Sequence, residues 1–362
     1  MMLGNETHGE ARQATVAGAE RIRSYGQVDE EYRAALDGVA MIDRGSDALL
    51  TVSGPKPHDM LKGVVTGRMP EPATDRDGIS WGQATRHTVL TPKGKMISDL
   101  RLGRDEDAEG VEQLWAQVPA AGLEGLMAHF GRFLPPRFAR VTDRSAAVAR
   151  ITLVGPGAAD LLSRVVLGLR IEGQELMAME PGAFALMHDS TGSSVRVIRT
   201  EEVELPAFDL VLDHEAGPGA WQALRDAGAL PMGASAWEVL RVEAATPVYG
   251  IDMDDGTIPT EAGLETVAID HTKGCYTGQE TIVRIRDRGH VNRRLRLVHL
   301  GDQPTPASGT ELFIEGRERA AAQVRSAVQS PRFDGAIALA YVRRDAWDGT
   351  GDQPVFFTAP PA

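Results

Sequence analysis

Cysteine is almost absent from this sequence. Cys275 is the only one in 362 residues. An intrachain disulfide, a zinc site built on cysteine pairs and a four-cysteine iron–sulfur site made by one chain are therefore excluded. Long apolar runs are missing too. The longest, Ala336–Val342, has seven residues, against the roughly 20 that a transmembrane helix needs, so no membrane contact is expected. Residues Met1–Ser24 mix Glu, Arg, His and Gly and hold no apolar segment of a secretory signal, which points to the cytoplasm. Positive charge is in short supply as well. Lys and Arg total 38 against 51 Asp and Glu, a balance of −13, which argues against a dedicated nucleic-acid or anionic-membrane binder.

The common catalytic and nucleotide motifs are also missing. There is no Walker A loop, GxGxxG, HExxH or GxSxG, so the phosphate cradle, dinucleotide fingerprint, zincin and nucleophile elbow have no support. The nine histidines are scattered, none paired at helical i, i+4 spacing, and no metal site is expected. The acidic run Asp252-Met253-Asp254-Asp255-Gly256 fails as a calcium loop, because Thr257 stands where that loop needs glycine and Gly263 where it needs a bidentate glutamate.

What is present begins with length: 362 residues suit two or three domains at roughly 100–200 residues each. Offsetting the chain against itself by 101 residues lays Thr51–Gly67 over Thr152–Gly168 with eight of 17 positions identical. Each copy reads as a strand (48–52; 151–154), a Gly-Pro turn and a helix carrying Met60, Leu61, Val64 and Val65 or Leu161, Leu162, Val165 and Val166 on one face. A hairpin pattern follows each copy. The first is 88–90 and 96–101 around Thr91–Gly94; the second is 184–187 and 195–199 around Asp189–Gly192. Helical patterns at 122–134 and 220–227 come next. Ahead of the repeats, Asp29 is expected to cap a short helix over 30–36 that Gly38 ends. From Leu295 onward, short apolar runs (295–300, 312–314, 336–342, 355–357) separated by Gly, Pro and Asp read as a small β module. The expected organisation is a lead and helix over 1–45, α+β units over 46–145 and 146–290, and a C-terminal β module over 291–362.

Functional-looking residues concentrate between Ser235 and Arg294. The segment KGCYTGQE, residues 273–280, sets the one thiol among Lys273, Gly274, Tyr276, Gly278, Gln279 and Glu280. Its glycines permit close backbone approach and positive φ, and Lys273 is placed to lower the thiol's pKa. The opposing reading makes Cys275 a small buried hydrophobe. From Lys273 to Arg296 seven Lys and Arg face Glu280 and Asp287, a local +5. Arg284, Arg286, Arg288, Arg293 and Arg294 are either a solvated face or an anion site, for a folate glutamate tail, an acidic partner or tRNA. Residues 281–286 alternate like a strand, and their β-branched content leaves helix or strand open.

KGCYTGQE, with RGHVNRR at 288–294 and TIPTEAGLE at 257–265, resembles the signature of the folate-binding YgfZ family, which is related to the T-protein (aminomethyltransferase) of the glycine cleavage system. Residues 90–101 resemble the family's N-terminal hairpin, and 240–252 the segment ahead of the signature. The resemblance implies an α+β, three-domain cloverleaf around a central opening, binding tetrahydrofolate or a one-carbon derivative. It also implies a role in iron–sulfur cluster assembly or repair, with assembly or client proteins as partners and a link to tRNA modification. By the same resemblance, Asp209 in Leu205–Asp209 is the candidate pterin anchor. Arg241 matches an arginine near the folate, its alternative being a surface salt bridge with Glu238 or Glu243.

Two departures bear on catalysis. The T-protein's acidic pair is Ser98-Asp99 here, leaving Asp99 as the surviving candidate acid, and its tyrosine-containing loop is replaced by Arg199–Glu204. Whether the chain is an enzyme stays open at this point. The leading expectation is a tetrahydrofolate-binding accessory protein whose functional thiol is Cys275; the alternatives are a folate-dependent aminomethyltransferase or demethylase and a non-catalytic folate-responsive scaffold. One thiol cannot hold a cluster by itself, so any iron–sulfur role needs a second ligand source.

Overall fold

A computed structural model describes residues 12–16, 19–107, 109–166, 170–188 and 192–359. Its architecture is α+β, built on three principal sheets. The first has five antiparallel strands in the order Arg140–Asp143, Ala48–Ser53, Glu112–Val118, Met96–Glu106, Thr85–Leu90. The second has eight, in the order Leu230–Pro231, Ala40–Asp43, Val148–Val154, Ala207–Asp213, Ser194–Arg199, Ala183–His188, Ile79–Gln83, Thr74–Arg76. The third is a four-stranded half-barrel, Arg293–Gly301, Gly335–Arg343, Ala322–Ser330, Glu311–Leu312.

Both copies of the repeat fold alike. Strands Ala48–Ser53 and Val148–Val154 each run into a glycine at positive φ, Gly54 at 130° and Gly155 at 126°. A Cβ at Gly54 would lie 2.8 Å from the Phe138 carbonyl oxygen and one at Gly155 2.3 Å from that of Gly38, so both the turn and the close backbone contact require glycine. The helices that follow, Pro57–Lys62 and Ala158–Val165, press Leu61 and Leu161, Leu162 into separate cores. The first is short: Val64 and Val65 lie beyond its end, yet both are buried, and Val65 bridges to Val89. Gly168 and residues 189–191 of the second expected turn lie outside the described residues.

Sheet membership interleaves across residue 145. Ala40–Asp43, Thr74–Arg76 and Ile79–Gln83 pair into the eight-stranded sheet, although the chain passes through them before the second repeat begins. The first helix spans Val28–Asp37. Asp29 does not cap it; Gln27 occupies the N-cap without a side-chain bond, and Asp29, Glu30 and Glu31 fill the first turn, where acid complements the helix dipole. Gly38 ends it.

The signature segment leads into a helix, Gln279–Arg288, which settles the helix-or-strand ambiguity. Gly278 at its N-cap has φ 84°, and a Cβ there would meet the Thr91 carbonyl oxygen at 2.6 Å. One turn on, Thr281 packs over Gly94 of the 91–94 hairpin turn, where a Cβ would come within 2.7 Å of the Thr281 Cβ. The helix is thereby seated on the first hairpin. In the third sheet, Ala322–Ser330 is a strand the apolar-run pattern misses, because its inward positions include Ser326 and Ser330. No helix among the described residues is long and apolar enough to cross a membrane.

Candidate functional site

Strands Met96–Glu106 and Glu112–Val118 of the first sheet, Val148–Val154 of the second and helix Ala234–Glu243 converge on one opening, ≈ 820 Å³ counted out to its solvent mouth. Its walls mix charge with ring faces: Asp99, Arg86 and Arg101 on one side, Arg44, Asp47 and Glu202 on another, Trp237, Arg241 and Tyr249 closing it.

Asp99 is the exceptional group. It is paired across the hairpin with Thr88, and it is buried. Arg86 Nη2 donates to Oδ2 at 3.4 Å, while Oδ1 is shielded from solvent and has no hydrogen-bond partner. Burial pushes the carboxyl above the usual range, and Arg86 opposes that rise only in part. An unsatisfied acceptor in a pocket wall costs about 1–3 kcal/mol unless a ligand or water meets it.

Below the opening the charges are committed to one another. Arg150 Nη2 donates to Asp209 Oδ2 at 2.7 Å, Thr152 Oγ1 to Asp209 Oδ1 at 2.6 Å and Gln117 Nε2 to Oδ2 at 3.3 Å. Arg44 joins Asp47 at 2.9 Å and Glu202 at 3.0 Å, and Arg21 also binds Asp47. Arg101 reaches Glu201 at 3.0 Å. Burial alone would raise the Glu202 and Asp47 carboxyls, but their arginine neighbours (Arg44 and Arg150 around both) hold each below the usual carboxylate range. Arg44 stacks its guanidinium 4.9 Å from the Trp237 ring centroid, fixing the wall.

The residues expected from sequence separate into three places. Asp99 and Arg241 face the opening. Asp209 does not line it; it is fully buried with both oxygens taken by Thr152, Arg150 and Gln117, so it braces the pocket floor and presents no free bidentate edge to a ligand. Arg241 is no surface residue: at 1 % exposure it binds Asp252 at 2.7 Å, the Thr246 carbonyl at 3.0 Å, Ser326 and Glu238. Glu243, its other expected partner, instead accepts from Tyr32 and Ser330.

The signature segment lies outside the opening. Cys275 is exposed, not a buried hydrophobe. Lys273 sends its ammonium to the Val65 and Gly67 carbonyls at 2.6 and 3.0 Å, so its charge is spent on the backbone of the first unit. Burial pulls its pKa down to about 8. Tyr276 is buried in the core beneath, and Gly274 faces open space without positive φ. Gln279 and Glu280 open the helix. Of the arginines, Arg286 pairs with Asp287 and Arg293 with Glu261, while Arg284, Arg288 and Arg294 are exposed without an ion pair among the described residues. None of the five lines the central opening, so a folate tail bound there is not what they surround. Residues missed from sequence are Arg21, Arg44, Asp47, Arg86, Arg150, Glu202, Trp237 and Tyr249. Arg150 carried a signal, a charge in the middle of the apolar strand VARITLV.

The family model described as the GCVT N-terminal domain matches residues 5–273. The chain belongs to this family. The GCVT match begins inside the opening residues that carry no motif and ends at Lys273. Among relatives of this GCVT-family chain, the aminomethyltransferase of Synechococcus sp. (strain WH7803) is 30% identical over 336 residues, covering 91% of this chain and 86% of the relative. That of Nostoc sp. (strain PCC 7120 / SAG 25.82 / UTEX 2576) is 28% identical over 334, covering 92% and 84%. Among solved structures, the glycine cleavage system aminomethyltransferase T from Bartonella henselae superposes with a TM-score of 0.78 at 19% identity, over 92% of this chain and 87% of that one. The likeness establishes a shared fold.

Proposed function

We propose that this chain is a tetrahydrofolate-dependent one-carbon transferase of the aminomethyltransferase type, working in the central opening. The observation that carries the reading is Asp99: a buried carboxylate oxygen without a partner in the pocket wall, where Asp47, Glu202 and Glu238 are ion-paired. The residues present fit a reduced folate. Asp99 Oδ1 is an acceptor for a ring N–H, Trp237 and Tyr249 offer flat apolar surface, and Arg86 supplies positive charge. Tetrahydrofolate, when bound, supplies the ring nitrogens that carry the one-carbon unit. The protein's part is to exclude water, orient the ring and hold a proton at Asp99, whose raised pKa suits it to exchange one. The relatives are named aminomethyltransferases, and that supports this reading over an iron–sulfur accessory role, which was the leading expectation from sequence. The experiment is ammonia release from an aminomethyl donor by the purified chain, with and without tetrahydrofolate. Tetrahydrofolate-dependent release is expected; none from any donor overturns the reading.

A second reading rests on Cys275, exposed in KGCYTGQE and not among the residues that line the pocket. Nothing in the folate chemistry uses it, so an iron–sulfur or redox role would act at this surface. Replacing Cys275 by Ala in cells lacking the native protein and assaying iron–sulfur enzymes tests it; full rescue removes it.

A further inference from the structure

A second concentration of charge lies at one end of the C-terminal sheet. Strands Arg293–Gly301 and Gly335–Arg343 place Arg293 opposite Arg343, and the Arg344 N–H donates to the Asn292 carbonyl at 2.9 Å. Four arginines, 293, 294, 343 and 344, therefore leave the sheet at the same end. Two hollows adjoin there and share His290 and Arg344. Arg294 and Trp347 line one; Arg293, Arg319 and Arg343 line the other. Against these five arginines stand Glu261, Asp345 and Asp348, an excess of two positive charges before His290 is counted, on a protein of net −13.

The acids present are already used. Arg293 pairs with Glu261 at 3.2 Å and Arg343 with Asp345 at 3.1 Å. The Arg293 guanidinium is stacked 4.4 Å from the Tyr341 ring centroid, which holds its fork in place. Arg294, Arg319 and Arg344 are exposed and have no ion pair among the described residues. Gathering like charges at one sheet end is unfavourable without an anion between them, and packing does not demand exposed arginines at these positions.

We propose that this sheet end binds a ligand bearing two or more phosphates. A carboxylate presents two oxygens and one charge, and the groove's Glu261 and Asp345 already hold Arg293 and Arg343. A phosphate presents three acceptor oxygens and more charge, so it engages two guanidinium forks together. Adjoining hollows that share Arg344 suit successive phosphates. That chemistry is common to a free polyphosphate compound and to a nucleic-acid backbone, and the acidic remainder of the surface confines either one to this end. No residue of the groove lines the central opening, so the proposal stands independently of the folate reading.

The test titrates inorganic tripolyphosphate and a short oligothymidylate into the full chain at two salt concentrations, using wild type, R294Q/R344Q and, as a control, R33Q on the exposed face of helix Val28–Asp37. Binding by wild type and R33Q that weakens with salt, and at least a tenfold loss in R294Q/R344Q, is expected. Tighter binding of tripolyphosphate assigns the site to a free polyphosphate, and tighter binding of the oligonucleotide to a nucleic-acid backbone. The proposal is overturned if neither probe binds, if R294Q/R344Q binds as wild type does, or if poly-glutamate binds as tightly as tripolyphosphate.

Discussion

Asp99 Oδ2 lies 3.4 Å from Arg86 Nη2, and its Oδ1, shielded from solvent, has no partner. One oxygen is held and the other is left for something the pocket receives. Burial raises this carboxyl's pKa in the folded state, so the native protein binds its proton more tightly than the unfolded chain does. Stability contributed by this group is therefore greatest at low pH and is lost as pH rises through and above the ordinary carboxylate range. Asp99→Asn removes that loss. The variant is expected to melt above wild type at neutral pH, the advantage shrinking as pH falls toward the ordinary carboxylate value. Its folate-dependent turnover should drop about 10²-fold or more. Thermal melts across pH and steady-state kinetics check the two halves.

Asp209 belongs to the opposite class. Removing it takes from buried Arg150 its shortest ion pair, at 2.7 Å, leaving Asp47 at 3.4 Å and Glu202 at 3.7 Å, and Asp209→Ala is expected to cost about 1–3 kcal/mol of stability. Urea unfolding measures this. A pterin anchor would instead lose folate affinity with stability kept.

Gly278→Ala forces a residue with a side chain into φ 84° and drives its Cβ toward the Thr91 carbonyl. The left-handed conformation alone costs about 1–2 kcal/mol, and the overlap adds to it. Denaturant midpoints should fall accordingly, with hydrogen exchange accelerating first across helix Gln279–Arg288, which Gly278 seats on the hairpin.

Lys273 titrates near 8 in the folded protein because burial lowers it from 10.5. Between those values the unfolded chain holds the proton and the native state does not, so this residue's contribution to stability rises with pH across that window. Lys273→Met abolishes the dependence. Comparing wild-type and variant unfolding free energies from pH 7 to 10.5 should show wild type gaining on the variant; a flat difference refutes the assignment.

Much of the fold was legible because local signals agreed with the tertiary outcome. The 101-residue repeat reports two strand–turn–helix units, and the glycines at 54 and 155 mark its turns by backbone geometry that only glycine accepts readily. Strand exchange between sheets was not legible, since Ile79–Gln83 pairs with Ala183–His188 about 100 residues away and no periodicity encodes a partner. Asp99 and Arg241 were found through resemblance, whereas Arg44, Asp47 and Glu202 come from loops whose polar residues look like ordinary turns until the fold gathers them around Arg150. Asp209 shows the limit in reverse: a motif position matched, but the strand register placed its carboxylate on Thr152 and Arg150. Exposure of Cys275 depends on the surface left uncovered by Tyr276 beneath it, which sequence does not state.

Calorimetric titration of tetrahydrofolate into wild type, Asp99→Asn and Cys275→Ala bears most directly on the central opening as a folate site. One saturable site is expected in wild type and, unchanged, in Cys275→Ala, with at least roughly tenfold weaker binding in Asp99→Asn, the loss of one charge-assisted hydrogen bond of about 1.5–3 kcal/mol. Absence of saturable binding to wild type, or equal affinity in Asp99→Asn, would contradict it.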